Sequence, residues 1–396
     1  MPYPSNANTS EFYRLMNGAV LAARGYKNLG EFWREEFINS FQSAQWRELF
    51  TMDTEENRTG KFTQYVGNRY IPVMAAYTTR EGKAPLISNQ GFELQTKDMP
   101  LMKLAYNFDE KSIEDGAYLE ANGGTARSGS IFDGFRLDAA QLIAGIHVQR
   151  SYTSFQIEST GGYLSTARNN SGGLVGLQID FNVPSGNKRK CGGYGIKGKK
   201  KAWTDPTSSP IGDLQDMNRY ANDNGIMVGV YRMNQATHDT LVDHPDTRSR
   251  IAIWKTGGMV SDGNLTKVPV SDGDVETYIT TVLHLPKIEV VKWKAASQYL
   301  DPDSQELKRL PMTAFADNTV LLRPSGLLGS IQWKKQTGMF ATNDNPIFYT
   351  DNDSIAVQQN IYSDANAIQF TAKSTNIPVP GDTSQWLYLK TDEAAA

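Results

Sequence analysis

Leu174-Val175-Gly176-Leu177-Gln178-Ile179-Asp180-Phe181-Asn182-Val183-Pro184 opens a stretch, ending at Met233, whose order of elements decides the fold. Val175, Leu177, Ile179, Phe181 and Val183 alternate with Gly176, Gln178, Asp180 and Asn182, the period of a strand with one buried and one wet face. Pro184 ends it. A basic glycine-rich loop leads to Trp203, and Asp205-Pro206 to Pro210 excludes regular structure. Ile211, Leu214, Met217 and Tyr220 then recur at helical spacing until Asn224-Gly225 stops the helix. Ile226 to Tyr231 reads as the next strand.

Upstream, the longest helical signal runs from Gly129 to Glu158. Phe132, Phe135, Ala139, Leu142, Ile143 and Ile146 form one stripe, continued by Arg150, Thr153 and Ile157, while Asp133, Arg136, Asp138, Gln141 and Gln149 face away. Roughly 30 residues at about 1.5 Å each make a rod on the order of 45 Å long. Before it, Lys61 to Phe108 contains β-prone fragments around the polar turn Arg80-Glu81-Gly82-Lys83, which predicts a long two-stranded ribbon. Such a ribbon is marginal in water unless another surface orders it. Phe32 to Phe50 carries Phe32, Trp33, Phe37, Phe41, Trp46, Leu49 and Phe50 mostly three and four apart, which predicts an aromatic amphipathic helix.

Downstream, Asn234 is placed to cap a helix to about Val242, followed by a polar stretch, a helix over Asp274 to His284 and a strand over Ile288 to Trp293. Ala295 to Pro311 reads as an exposed connection or small hairpin. Strands at Val320 to Arg323, Ser330 to Trp333, Ala356 to Gln359 and Ile368 to Ala372 complete a mixed α+β pattern.

With 396 residues the chain exceeds one hydrophobic core. A net charge of −3 argues against a surface devoted to holding nucleic acid. The single cysteine, Cys191, excludes an intramolecular disulfide and any multi-thiolate metal site, and fits a reducing cytoplasm. No apolar run is long enough to span a membrane.

Chemical motifs are few. Gly193-Tyr194-Gly195-Ile196-Lys197-Gly198 satisfies G-x-G-x-x-G, and Gly193 to Lys199 satisfies G-x-x-x-x-G-K, but Lys200-Lys201-Ala202-Trp203-Thr204-Asp205-Pro206 does not start the helix a phosphate cradle needs. The same loop holds seven basic residues between Lys188 and Lys201. They are either solvated, or Lys188, Arg189, Lys190, Lys197 and Lys199 meet acidic groups of another chain or a nucleic acid. His238 and His244 are spaced wrongly for a zinc pair on a helix. Asp301-Pro302-Asp303 and Asp351-Asn352-Asp353 lack the glycine and glutamate of a calcium loop and read as turns. No catalytic residue, cofactor site or metal site is expected.

Gln178-Ile179-Asp180-Phe181, Trp203, Asp205-Pro206 and Asp213-Leu214 resemble, in order, the strand, Trp and helix start of the lambda-type major capsid proteins of tailed phages. Asp317-Asn318-Thr319-Val320-Leu321-Leu322 with Gly326-Leu327-Leu328-Gly329, then Ile377-Pro378-Val379-Pro380 and Leu387-Tyr388-Leu389, extend the resemblance through the second half of the chain. The loop from Ser185 to Ala202 is longer and more basic than the family pattern.

The resemblance implies the Hong Kong 97-type capsid fold: an N-terminal arm over 1–60, an extended loop over 61–108, a peripheral domain with a spine helix over 109–202 completed by 330–396, and an axial domain over 203–329. It implies a structural, non-enzymatic shell protein of the virion, assembled in a bacterial host cytoplasm as hexamers and pentamers that enclose DNA without sequence-specific binding. Separate scaffold, portal and decoration proteins are the implied partners. Some capsid families weld subunits by a Lys-Asn isopeptide bond, for which Lys83 near the ribbon tip is the residue to test; a solvated turn lysine is its ordinary reading. An encapsulin-like compartment is the rival within the same fold, and an α/β enzyme the rival outside it.

Overall fold

The apolar stripe expected over 129–158 folds as α1 (Thr125–Thr160), a helix of 36 residues, about 54 Å long. Leu142, Ile143 and Ile146 are buried, and burial continues through Arg150, Thr153 and Ile157. The computed structural model describes residues 31, 34–35, 43–66, 93–108, 125–170, 173–258, 268–300, 307–336, 347–362 and 367–395. Among these, no helix is long and apolar enough to cross a membrane.

The aromatic helix expected up to Phe50 does not reach it. Residues 32–33 and 36–42 lie outside the described set; beyond them Gln45–Glu48 forms one 3-10 turn, and Phe50 starts strand β1 (Phe50–Met52). Tertiary pairing overrides the helical period, because β1 hydrogen-bonds in parallel with Gly329 to Ile331. Trp46, Leu49 and Phe50 are nonetheless buried. β2 (Lys61–Val66) and β3 (Glu93–Asp98) pair as a ribbon, while 67–92, with Lys83, lie outside the described residues. The end of the expected ribbon departs from it: β4 (Leu101–Phe108) pairs antiparallel with Thr375 back to Ile368 of a larger sheet.

β5 (Gly162–Leu164) and β6 (Gln178–Asp180) form an antiparallel pair. The alternating run from Leu174 is therefore strand over three residues only. Ile179, Phe181 and Val183 are buried as the pattern predicts, but Leu174 and Val175 are exposed, and left-handed backbone at Gly176 and Asn182 interrupts the extension. β7 (Lys188–Cys191) follows. α2 (Pro210–Asp223) starts on Pro210 and ends at Asn224, before Gly225 at φ +63°, in line with the sequence signals.

β8 (Val230–Asn234) begins later than the expected Ile226. Asn234 caps α3 (Gln235–Asp243), its Oδ1 accepting from Thr237 N at 2.9 Å. α4 (Pro245–Thr256) occupies the stretch read only as polar: it is too polar to show a stripe, although Pro245 at its start and left-handed Gly257 at its end are ordinary helix boundaries. α5 (Asp272–Thr277) opens with a reciprocal Ser271–Asp274 cap and continues as a π turn, Tyr278–Val282, into β9 (Lys287–Val291). β10 (Lys294–Leu300) and β11 (Leu307–Thr313) pair antiparallel, which is the hairpin rather than the exposed connection of the two readings for this stretch. β12 (Thr319–Arg323), β13 (Gly329–Lys334), β14 (Ile347–Thr350), β15 (Ile355–Tyr362), β16 (Ala367–Pro380) and β17 (Leu387–Ala394) complete the chain, and the four strands expected there fall inside β12, β13, β15 and β16.

These elements pack as two units, 1–63, 96–152 and 329–379 forming one, and 64–95, 153–328 and 380–396 the other. The first holds the sheet β1-β13-β16-β15-β14, with β4 also on β16. Arg150 of α1 is fully buried, which demands a partner. Its Nη1 meets Asp351 Oδ2 at 2.5 Å, and Nη2 donates to Ser354 Oγ at 2.9 Å and Ser374 Oγ at 3.0 Å. Asp351, Asn352 and Asp353 are all left-handed, so the expected turn is a strained one, pinned by this arginine. Asp353 pairs with Lys335 at 2.6 Å. Beside the cluster, Trp46 Nε1 donates to His147 Nδ1 at 3.2 Å. Burial, reinforced by Arg150, pulls the His147 ring down to about 3 and keeps it neutral.

The second unit holds the sheet β7-β17-β12-β8-β9. β12 is central and all five of its residues are buried, which explains the unbroken Val320-Leu321-Leu322 run. Arg323 and Arg232 converge on Glu158 Oε1 with Nε at 2.8 and 2.9 Å, and Arg232 Nη1 reaches Glu289 Oε2 at 2.8 Å. The Tyr388 hydroxyl donates to the Glu158 carbonyl at 2.7 Å.

Candidate functional site

β7 forms one edge of the second sheet, parallel to β17, and feeds the basic glycine loop directly. Gly192 turns the chain at φ +70°, where any side chain would be strained. The loop then lies along α2. Gly192 N donates to Asp213 Oδ1 at 2.8 Å, Gly198 N to Asp216 Oδ2 at 2.7 Å, and Trp203 Nε1 to Asp213 Oδ2 at 2.9 Å. Asp213 and Asp216 are buried and three residues apart, so both face the loop from one side of the helix. A Cβ on Gly198 would stand 2.0 Å from Asp213 Oδ1, so a side chain there would force the loop off α2.

The loop that satisfies the phosphate-binding string thus receives carboxylates of its own chain. Its amides at Gly192 and Gly198 are taken, and the residues after Lys199 form turns until α2 begins at Pro210. Burial, with the Asp216 charge adding to it, pushes the Asp213 carboxyl up to about 6 against the opposing hydrogen bonds. The buried Cys191 thiol is pushed far up by burial and then by Asp213, which leaves it without thiolate character at neutral pH.

The six residues singled out by sequence separate into three groups. Arg189 is used internally: its Nε and Nη1 donate to the Gly186 and Gly193 carbonyls at 2.9 and 2.6 Å, and its guanidinium lies 4.5 Å from the Tyr220 ring centre. Lys190 pairs with Glu393 at 2.7 Å, a hydrogen bond that raises its pKa, and Lys199 donates to the Thr207 carbonyl at 2.9 Å. Among the described residues Lys188 and Lys197 are exposed and make no ion pair, and Lys83 lies outside that set. Sequence reasoning missed Asp213 and Asp216; two carboxylates beside the Ile211-Leu214-Met217 stripe, just after a glycine loop, were the available signal.

Ser208 Oγ lies 2.9 Å from His244 Nε2, the spacing of a nucleophile and its base. His244 Nδ1, however, accepts from Asp246 N at 3.1 Å as the cap of α4, so the ring hydrogen sits on Nε2, which faces the Asp205 carbonyl at 3.0 Å. A protonated Nε2 cannot take the serine proton. The pair ties the start of α4 to the turn before α2.

No protein-family description and no curated protein matches the chain. Among solved structures, it is similar to a putative prophage capsid protein of Escherichia coli CFT073, at 13% identity over 97% of this chain and 98% of that one, TM-score 0.46. It is also similar to a phage-related protein of Bordetella bronchiseptica RB50, at 10% identity over 90% and 96%, TM-score 0.41. A virus-like particle from Pyrococcus furiosus is similar at 10% identity over 91% and 98%, TM-score 0.40.

Proposed function

We propose that the chain is a shell subunit, the major capsid protein of a tailed phage, which assembles into an icosahedral head around genomic DNA. The observation that carries this reading is the order of elements. A ribbon, a 36-residue helix and a C-terminal return that supplies strands to each of two units follow one another as the lambda-type resemblance implies. In this reading 1–60 is the arm, 61–108 the extended loop, 109–202 with 330–396 the peripheral domain of a Hong Kong 97-type subunit, and 203–329 its axial domain.

The work of such a subunit is mechanical. Shell energy comes from apolar burial and strand pairing between copies arranged as hexamers and pentamers. A net charge of −3 suits a wall that encloses DNA without gripping its sequence. Scaffold, portal and decoration proteins are the partners such a shell takes, the virion its location and the host cytoplasm its place of assembly. The test is electron microscopy and sedimentation of the expressed full chain, alone and with its genomic neighbours. Uniform closed particles are expected; a discrete small oligomer under every condition refutes the reading. DNA inside particles from infected cells distinguishes a head from a cargo compartment.

A further inference from the structure

Seven cations lie between Lys188 and Lys201, and no aspartate or glutamate stands anywhere from Ser185 to Ala202. The fold gathers that run into one patch. A Cβ on Gly192 would stand 2.7 Å from Lys200 N and 2.8 Å from the Lys199 carbonyl carbon, so the loop returns against its own start and brings Lys199 and Lys200 back to the end of β7, where Lys190 stands. Lys201 N donates to the Lys199 carbonyl at 2.7 Å in a tight turn. Lys199 Nζ and Lys201 Nζ both reach Thr207, the first at its carbonyl (2.9 Å) and the second at its hydroxyl (2.5 Å). Two ammonium groups drawn to one residue repel each other. The bonds from Gly192 N and Gly198 N to the buried Asp213 and Asp216 hold the loop in this shape.

The carboxylates that meet these cations hold them loosely. Lys190–Glu393 and Lys201–Asp205 are pairs whose four side chains are all 39% exposed or more, and ion pairs so exposed contribute little and exchange readily for another anion. Lys197 is exposed and, among the described residues, makes no ion pair. The chemistry of the partner follows from what accompanies the charge. A specific protein interface is built around an apolar centre. Among the described residues from 185 to 202, Ile196 is the one large apolar side chain exposed, and a single isoleucine does not make such a centre. A phosphodiester backbone asks for none, because cations released from their counterions supply the attraction.

We infer that the loop from Lys190 to Lys201 is a contact surface for a nucleic-acid backbone, with Lys197, Lys199, Lys200 and Lys201 on phosphates and no base read. The surface stands on its own geometry; its placement on the inner face of a particle, toward enclosed DNA, rests on the shell reading. The chain's overall charge of −3 keeps the attraction local to this patch. The inference also assigns a role to the loop's length and charge, which the family pattern leaves unexplained.

The experiment measures binding of the full-length chain to fluorescent duplex DNA by anisotropy, from about 50 to 200 mM salt. Binding should be indifferent to base composition, with log K falling linearly against the logarithm of salt concentration. Lys197→Gln/Lys199→Gln/Lys201→Gln removes three phosphate contacts, so it should reduce that slope by about 2–3 and weaken binding at least about tenfold at the low-salt end. The corresponding triple arginine variant keeps the charges and should keep both affinity and slope. No duplex binding at about 50 mM salt, or an unchanged slope in the glutamine variant, overturns the inference. So does full displacement of the duplex by an equal charge of poly-glutamate, which assigns the patch to an acidic protein instead. In closed particles, Ile196→Cys should be shielded from a PEG-maleimide that labels it in dissociated subunits; labelling of intact particles overturns the inner placement. Closed particles from a chain that does not bind duplex leave the shell reading standing, whereas duplex binding by a chain that forms no particles refutes the shell reading and not the phosphate contact.

Discussion

Replacing Arg150 with methionine removes the cation and keeps much of the volume, and the structure sets the size of the effect. The Asp351 side chain is 4% exposed, and Arg150 supplies its 2.5 Å partner while also bonding Ser354 and Ser374. Arg47, at 3.5 Å and 43% exposed, is a weak substitute. Deleting one member of a buried pair costs about 3–5 kcal/mol, because the other charge is left in a medium that solvates it poorly. The left-handed run Asp351-Asn352-Asp353 loses its anchor in the same step. Chemical denaturation of the full chain should therefore show Arg150→Met destabilised by about 4 kcal/mol, with Arg150→Met/Asp351→Asn recovering most of that loss.

The pH dependence gives a second, sharper reading of the same pair. Burial acts to raise the Asp351 carboxyl, but the Arg150 charge and hydrogen bond outweigh it and hold the group below its usual range. In wild type the pair's contribution is thus fully present above the unfolded value, about 3.9, and is lost as pH falls through the folded one. In Arg150→Met burial is opposed mainly by the Ser354 hydroxyl and the more distant, exposed Arg47, and it raises that carboxyl, so the same group should make the variant lose stability as pH rises above about 4. A loss below about 1 kcal/mol, or the same pH slope in both proteins, refutes the claim that this ion pair anchors the turn.

Asp213 should behave in the opposite sense. Its folded value is raised from 3.8 to about 6, so its contribution is fully present below 3.8 and disappears as pH rises through 6. The span corresponds to roughly 3 kcal/mol, and the difference in stability between wild type and Asp213→Asn, followed from pH 4 to 7, should trace it. Gly198→Val should lift the glycine loop from α2 at a cost of about 1–3 kcal/mol. Thiol titration should then find Cys191 reactive in the folded variant and silent in wild type; a silent thiol at unchanged stability would show that the loop does not depend on that close approach.

The sequence alone determined those parts of the fold whose cause is local. α1 and α2 follow from apolar residues at helical spacing, the cap of α3 from Asn234, and the buried centre of β12 from its unbroken aliphatic run, all of which depend on neighbours a few residues away. Only the tertiary structure decided what depends on distant partners. Phe50 to Met52 leave the helical period because a strand from Gly329 to Ile331 takes up their backbone groups. Leu101 to Phe108 leave the ribbon because β16 offers them a full register. β7 is an edge strand only because the C-terminal chain returns to lie parallel to it. The basic loop was legible as charge, but its division into Arg189, Lys190 and Lys199, engaged within the subunit, and Lys188 and Lys197, left facing water, was not. Which cations are satisfied depends on where carbonyls, rings and carboxylates from other segments arrive, and those arrivals are set by packing rather than by adjacency in the chain.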